Sequence, residues 1–446
     1  MPQHSSASEE TPVAKPGSGR DRQSAIYSAG VVGITPAVPT SFAGLERAAQ
    51  KVTSPKGWAY VAGGAGEGRT MRNNRAAFDR WAIVPRMAHG GATRDLSVKI
   101  VGTQLSSPLL LAPVGAGQLI DPEADLHTAR AAASTGVPYV FTNQGGTPME
   151  EAAAEMGETP HWVQLYWSTD EALVDSLIGR AEASGAEALV ITLDTTTLGW
   201  RPQDLTLGSL PFAQGLGIGQ YTSDPRFREI VADRIERAKE AGVASDVKVT
   251  LQALRSLISI TRNHPGSFWA NLRSPVPRAS VETFLDIYSN PGLSWDHVAT
   301  LRGRTRLPVV LKGILHPDDA RRAFDLGVDA IVVSNHGGRQ IDSSIASLDA
   351  LISVRGAVGP EPTVLLDSGI RTGADVFTAL AHGADACLLG RPYMYGLAIA
   401  GQRGVEEVIA NVVAELDLTM ALTGATDVKS VSRDFVVPNP TWPGVV

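Results

Sequence analysis

The chain has 446 residues, 43% of them hydrophobic, enough to bury a large core, and a formal net charge of −7 from 39 basic and 46 acidic side chains. That balance offers no basic face of the kind a phosphate backbone requires, so no nucleic-acid partner is expected. A single cysteine, Cys387, excludes disulfides within the chain and thiolate metal clusters, and no stretch reaches the roughly 18 consecutive apolar residues of a membrane span.

In chain order, residues 1–24 are rich in Ser, with Pro and Glu, and have no apolar run. They are expected to form an unstructured tail rather than a secretory signal, which makes the cytoplasm the simplest compartment. Residues 25–446 read as one domain. From Pro108 onward, short apolar runs alternate with amphipathic stretches: Pro108–Ala116, Val137–Gln144, Trp162–Trp167, Ala188–Thr195, Pro308–Ile314, Ala330–His336, Thr363–Ser368 and Ala386–Gly390. Runs rich in Val, Ile and Leu with little alternation suit parallel strands buried on both faces. Cys387 falls inside the last run, as a buried structural thiol would.

The stretches between the runs carry helix punctuation. In His316-Pro317-Asp318-Asp319-Ala320 the proline suits the first helical position, the two Asp favour the positive helix start, and Gly327 is a plausible stop. Thr372-Gly373-Ala374-Asp375 has capping-box spacing, with Gly383 ending the helix. Eight strand–helix units make a closed (β/α)8 TIM barrel the leading fold, with an open doubly wound sheet as the rival. An insertion from about 202 to 307 breaks the rhythm after the fourth strand. It contains the Gly-rich Gln214–Gly219 and a helical stretch from Arg226 to about Ala241, and reads equally as an active-site lid or as a peripheral or subunit-contact insertion. The segment Val437–Pro443 reads as extended.

In a barrel the chemistry sits where the strands end. Here those ends carry Gln164-Leu165-Tyr166, Thr192-Leu193-Asp194-Thr195 followed by Arg201, Lys312, Ser334-Asn335-His336-Gly337-Gly338-Arg339, Asp367-Ser368-Gly369-Ile370-Arg371 and Gly390-Arg391. Singly, each has a structural explanation. Together they form a ring of cations and hydroxyls around one histidine. Lys312 inside an apolar strand requires an anionic or strongly polar partner. The Gly-Ile-Arg and Gly-Arg elements follow strands seven and eight, where barrels bind phosphate. The nine His show no paired ligand spacing, so no metal is expected.

Ser334-Asn335-His336-Gly337-Gly338-Arg339-Gln340 resembles the signature of the FMN-dependent 2-hydroxy-acid oxidases and dehydrogenases. Further pieces follow in family order from Trp58 to Arg433: Tyr60-Val61-Ala62-Gly63-Gly64-Ala65, Pro85-Arg86, Ala112-Pro113, Gln164-Leu165-Tyr166, Thr192–Thr195, Leu311-Lys312-Gly313 and Asp367–Arg371. The resemblance implies an FMN cofactor and a 2-hydroxy-acid substrate. It makes His336 the group that takes the substrate's hydroxyl or α-proton, with Asp194 beside it, Tyr166 at the substrate oxygen, and Arg201 and Arg339 with Tyr60 on the carboxylate. Lys312 would sit at the flavin N1/C2 edge. Gln164, Thr192, Ser334 and Thr142 would hold the ring, with Pro113, Val114 and Gly115 beside it. Asp367, Gly369, Arg371, Gly390 and Arg391 would hold ribityl and phosphate. Asp367-Ser368-Gly369 departs from the more usual Asp-Gly-Gly.

Within the family the chain is most similar to the lactate 2-monooxygenase branch, by Tyr60–Gly64, Gly199–Thr206, the long insertion, and Gly115 where simple oxidases usually carry Ala. That branch uses O2 to turn L-lactate into acetate, CO2 and water. The alternatives are an oxidase releasing keto acid and hydrogen peroxide, and a quinone-linked dehydrogenase. Family members are usually tetramers or larger, so a homo-oligomer is expected. Trp167 and Leu198 are candidates for limiting the substrate side chain.

Overall fold

The computed structural model of the protein describes residues 19–89, 92–241 and 250–441. Eight parallel strands close into a barrel, each falling inside one of the expected runs except that β3 starts one residue earlier: β1 Leu109–Leu111, β2 Tyr139–Thr142, β3 His161–Tyr166, β4 Leu189–Thr192, β5 Val309–Ile314, β6 Ala330–Val333, β7 Thr363–Leu366 and β8 Ala386–Leu389. Closure is completed by β8 pairing with β1, Leu110 opposite Leu388, which disposes of the open-sheet rival.

The runs look continuous in sequence because both faces of each strand are buried, yet the inward positions alternate in kind. Val140, Trp162, Val190, Val310, Val332, Leu365 and Leu388 fill a small core inside the barrel. Two residues further along each strand stand Thr142, Gln164, Thr192, Lys312, Ser334, Asp367 and Gly390. Side chains two apart share a face, so an apolar layer lies beneath a polar one. The antiparallel hairpin of Val98–Ile100 and Thr103–Leu105 plugs the far end with Ile100 and Leu105, and Trp162 Nε1 donates to Thr103 Oγ1 (3.0 Å). The open end is therefore the end at which the strands finish. A second, larger core packs the outward strand residues against the surrounding helices.

Helix Pro317–Asp325 starts at its proline with His316 as N-cap, and Gly327 follows it at φ 78°. Thr372 and Asp375 form the expected capping box at the head of Gly373–Ala381. The helical stretch Arg391–Thr423 is broken at Ala400–Gly401. Helix Gly19–Val31 begins inside the segment expected to be a tail, its first N–H donating to Asp417 (2.6 Å); residues 1–18 lie outside the described residues. The C-terminal segment expected to be extended contributes strand Val436–Pro438, paired with Trp81–Ile83, while residues 442–443 lie outside the described residues. Among the described residues no helix is long and apolar enough to cross a membrane.

Candidate active site

A cavity opens at the carboxyl ends of the strands. Of the residues expected at the site, Tyr60, Pro113, Val114, Gly115, Tyr166, Arg201, Lys312, His336, Arg339, Asp367, Gly369, Arg371, Gly390 and Arg391 line it. Asp194, Thr142, Gln164, Thr192 and Ser334 stand directly behind or beneath this wall, bonded to it or one register step away.

His336 follows β6 and is held at φ 58°, a left-handed conformation that non-glycine residues adopt only under support from their surroundings. The support is visible. Its N–H donates to Ser334 Oγ (3.1 Å), and the next N–H, of Gly337, donates to Ser368 Oγ (2.8 Å). Its Nδ1 lies 2.8 Å from Asp194 Oδ1, and Thr195 Oγ1 approaches the same nitrogen at 3.3 Å. Burial pushes the His336 imidazolium down in pKa, Asp194 partly restores it, and Lys312 and Arg201 depress it further; the net shift is downward. Asp194 is pulled the other way by burial, but His336 and Lys312 outweigh that and keep its carboxyl below the ordinary value. A neutral His336 beside an ionised Asp194 donates from Nδ1, which leaves its Nε2 lone pair free.

Lys312 meets the requirement its position imposes. It is bonded to Ser334 Oγ (2.9 Å) and paired with Asp367 Oδ2 (3.0 Å). Burial alone would lower its pKa; Asp367 and Asp194 overturn that and hold it charged. Asp367 also accepts from Ser368 Oγ (2.6 Å), and Ser368 sits at φ 66°. The departure from Asp-Gly-Gly thus places a hydroxyl between the lysine's partner and the loop that carries His336.

Four guanidinium groups surround the cavity, and among the described residues none is ion-paired. Arg201 bonds the Arg339 carbonyl (3.1 Å) and Gln340 Oε1 (2.9 Å). Arg339 bonds the Tyr60 and Gly63 carbonyls and lies over the Tyr60 ring, 4.8 Å from its centroid. Burial, then the neighbouring Arg201, pushes Arg339 down to about 10. Arg391 bonds the carbonyls of Val61, Gly337 and Gly63 (2.8–3.0 Å), sharing the last with Arg339. Burial and Arg371 push it down to about 9. Among the described residues Arg371 lies over Phe42, its guanidinium bonds only the Ile370 carbonyl (2.9 Å), and its buried Nε has no partner. Unpaired buried cations are costly, and four of them along one cavity match anionic ligand groups.

The residues present fit FMN. Among the described residues Arg371 Nε and Gln164 Nε2 are buried donors without partners, one from the loop after β7 and one from the polar layer. A phosphate and the carbonyl edge of a flavin ring supply acceptors at those two places. Gly115 lies against the cavity with its missing side chain filled by Gln144: a Cβ there would stand 2.8 Å from Gln144 Cβ and 3.0 Å from its Oε1.

Sequence reasoning missed Gln144, Phe212, Tyr288, Ser368 and Met394, all of which line the cavity. Phe212 and Tyr288 come from the insertion, so at least these parts of it form the cavity wall. Nothing in the local pattern of that segment relates it to a strand end. Trp167 corrects an expectation. Tyr166 faces the cavity, so the next residue on the strand points the opposite way: the Trp167 ring packs with His297 and Arg304, and its Nε1 donates to Glu171 (3.0 Å). Leu198, the other candidate, does line the cavity.

A closed barrel whose strand ends open on a cavity lined by guanidinium groups, with a His–Asp pair at its wall, has the form of a flavin-dependent 2-hydroxy-acid oxidoreductase. Comparison with known proteins agrees. The sequence pattern described as FMN-dependent dehydrogenase matches residues 49–438. An L-lactate oxidase from Lysinibacillus sphaericus (strain C3-41) is 38% identical over 401 residues, 90% of this chain and 93% of the relative. A 4-hydroxymandelate oxidase from Amycolatopsis orientalis is 35% identical over 393 residues, 88% of this chain and 97% of the relative. The crystal structure of a mandelate oxidase superposes with a TM-score of 0.70 at 32% identity, covering 89% of this chain and 98% of that one. The chain belongs to the FMN-dependent α-hydroxy-acid dehydrogenase/oxidase family and is an FMN-dependent 2-hydroxy-acid oxidoreductase.

Proposed function

We propose that the protein oxidises a small (S)-2-hydroxy acid such as L-lactate with O2, releasing the 2-keto acid and hydrogen peroxide. The observation that carries this reading is the His336–Asp194 pair, at 2.8 Å, facing the same cavity as Arg201 and Arg339. The two guanidinium groups hold the substrate carboxylate, a task their planar forks suit, and the Tyr60 hydroxyl assists. Tyr166, whose pKa burial and then Asp194 push upward, stays protonated and bonds the substrate oxygen. His336 Nε2 takes the proton released as the C2–O bond becomes a carbonyl, and Asp194 stabilises the imidazolium that forms. FMN would be held by Lys312, Gln164, Arg371 and Arg391 and would supply the two-electron acceptor. Lys312, held charged by Asp367 and Asp194, would supply positive charge beside the bound ring.

A second reading has specific support. Gly115, the Gly199–Thr206 run and the long insertion resemble the monooxygenase branch, in which peroxide formed beside a retained keto acid decarboxylates it to acetate, CO2 and water. The relatives named above carry oxidase names, and this favours peroxide release as the main outcome. Aerobic turnover with L-lactate, quantifying pyruvate, hydrogen peroxide and acetate, decides: equal pyruvate and peroxide support the oxidase, and acetate with little free peroxide supports the monooxygenase. Mandelate and glycolate tested alongside report the side chain accepted by the wall of Leu198, Phe212 and Tyr288. Assembly into a homo-oligomer, inferred from the resemblance, is checked by light scattering.

A further inference from the structure

Gln340 closes the His336 signature but does not line the cavity. Its carboxamide is nevertheless fully used. Oε1 accepts from Arg201 Nη2 (2.9 Å) and from the Gly199 N–H (3.4 Å), while Nε2 donates to the carbonyls of Asp194 (2.7 Å) and Thr197 (3.0 Å). The orientation of the amide is dictated by chemistry. Guanidinium and backbone N–H can only donate and carbonyls can only accept, so a flipped amide would face two donors with donors and two acceptors with an acceptor.

These four bonds join two parts of the site that come from one loop but do different work. Asp194 at the loop's start is bonded to His336, and Arg201 at its end belongs to the carboxylate clamp. Gly199 lets the loop lie directly on the backbone of residues 339–340, since a Cβ there would meet the Arg339 and Gln340 carbonyl oxygens at 2.6 Å. Arg201 Nε bonds the Arg339 carbonyl as well (3.1 Å). The whole loop is thereby laced to the turn that carries His336 and Arg339.

We infer that Gln340 is a positioning residue that sets Arg201 and Asp194 in register with His336, so that substrate carboxylate binding and proton transfer depend on one carboxamide. The inference rests on the proposed reading of the cavity as a 2-hydroxy-acid site. Gln340→Met keeps the length and removes all four bonds. Gln340→Glu keeps the acceptor toward Arg201 but turns an oxygen toward two carbonyls and partly neutralises the clamp.

The test uses the FMN-loaded enzyme, with oxalate as a non-reacting dicarboxylate probe followed by its perturbation of the flavin absorbance. Gln340→Met is expected to weaken oxalate at least tenfold and to slow anaerobic reduction by L-lactate at saturating substrate at least tenfold. Its melting temperature and FMN content should match wild type. Gln340→Glu should show the larger loss in oxalate affinity. In a double-mutant cycle with Arg201→Lys, the losses should be less than additive, because both act through the same contact. Wild-type oxalate binding in both variants overturns the inference, as do strictly additive losses, or losses that merely track lost FMN and lowered melting temperature. If wild type binds oxalate but no 2-hydroxy acid reduces it, the functional reading fails, while the oxalate comparison still decides the role of Gln340.

Discussion

Gly313→Ala tests whether the His336–Asp194 geometry limits the rate. Gly313 sits at a register irregularity in β5, between Lys312 and Ile314, with φ 105°. A Cβ there would lie 2.8 Å from Asp194 Cβ, 2.9 Å from its Cγ and 3.0 Å from its backbone nitrogen. Ordinary carbon–carbon contact begins at about 3.5 Å, so Asp194 must retreat by roughly 0.7 Å. A retreat of that size away from the imidazole carries the 2.8 Å bond toward about 3.5 Å, where a hydrogen bond is effectively lost. A bond to a charged group contributes about 1.5–3 kcal/mol, which predicts roughly 10- to 150-fold slower proton transfer. The strained backbone costs a further ~1–3 kcal/mol of stability. Stopped-flow reduction by L-lactate under anaerobic conditions measures the first effect and thermal unfolding the second. Asp194→Asn serves as the control that removes the charge without crowding. Reduction at the wild-type rate by a Gly313→Ala enzyme carrying full FMN would show that the 2.8 Å pair does not set the rate.

Three further outcomes are expected. Because burial lowers the His336 pKa, its neutral, proton-accepting form persists below the ordinary value of 6.5. The reduction rate should therefore stay level as pH falls through 6.5 and decline only below the depressed pKa. Asp194→Asn removes an upward influence and should move that decline to still lower pH; a decline centred at or above 6.5 in wild type argues against His336 as the base. Arg371→Met should weaken FMN about 10- to 100-fold by removing a charge-assisted contact, yet leave the apoprotein as stable or more so, because a poorly paired buried cation is gone. Fluorescence titration of FMN and melting of the apoprotein read the two signs separately, and equal losses in both contradict the assignment. Gly115→Ala forces Gln144 aside at the cavity wall; if acetate is formed at all, the substitution should shift product toward pyruvate and peroxide, and an unchanged ratio removes Gly115 from the argument.

What could be read from sequence follows from where each residue's constraints lie. The strands were legible because a barrel strand buries both faces, which leaves compact runs of Val, Ile and Leu bounded by Gly and Pro. The polar ring was legible because the barrel puts function at strand ends, so His336, Lys312, Asp367 and Arg391 are marked by position as well as type. Trp167 misled for an equally local reason: adjacent to Tyr166, it shares the strand end but faces the helices. Ser368 was visible only as a departure from the motif; its left-handed backbone and its bond to Gly337 arise from how the β6 and β7 loops meet in the fold.

Phe212 and Tyr288 were not legible at all. Their placement depends on how an insertion of some hundred residues folds back over the barrel mouth, and the packing of Phe212 on Phe284 and Tyr288 is long-range. The same limit explains why the reaction class could be read before the product. The chemistry of oxidation is written at strand ends that the fold fixes in space, in the order in which the strands occur. Retention of the keto acid depends on the wall that the insertion supplies, and on how closely Gln144 fills the space left at Gly115. Those contacts join residues with no sequence relation to each other, so product identity is the property of this enzyme that a motif is least able to specify.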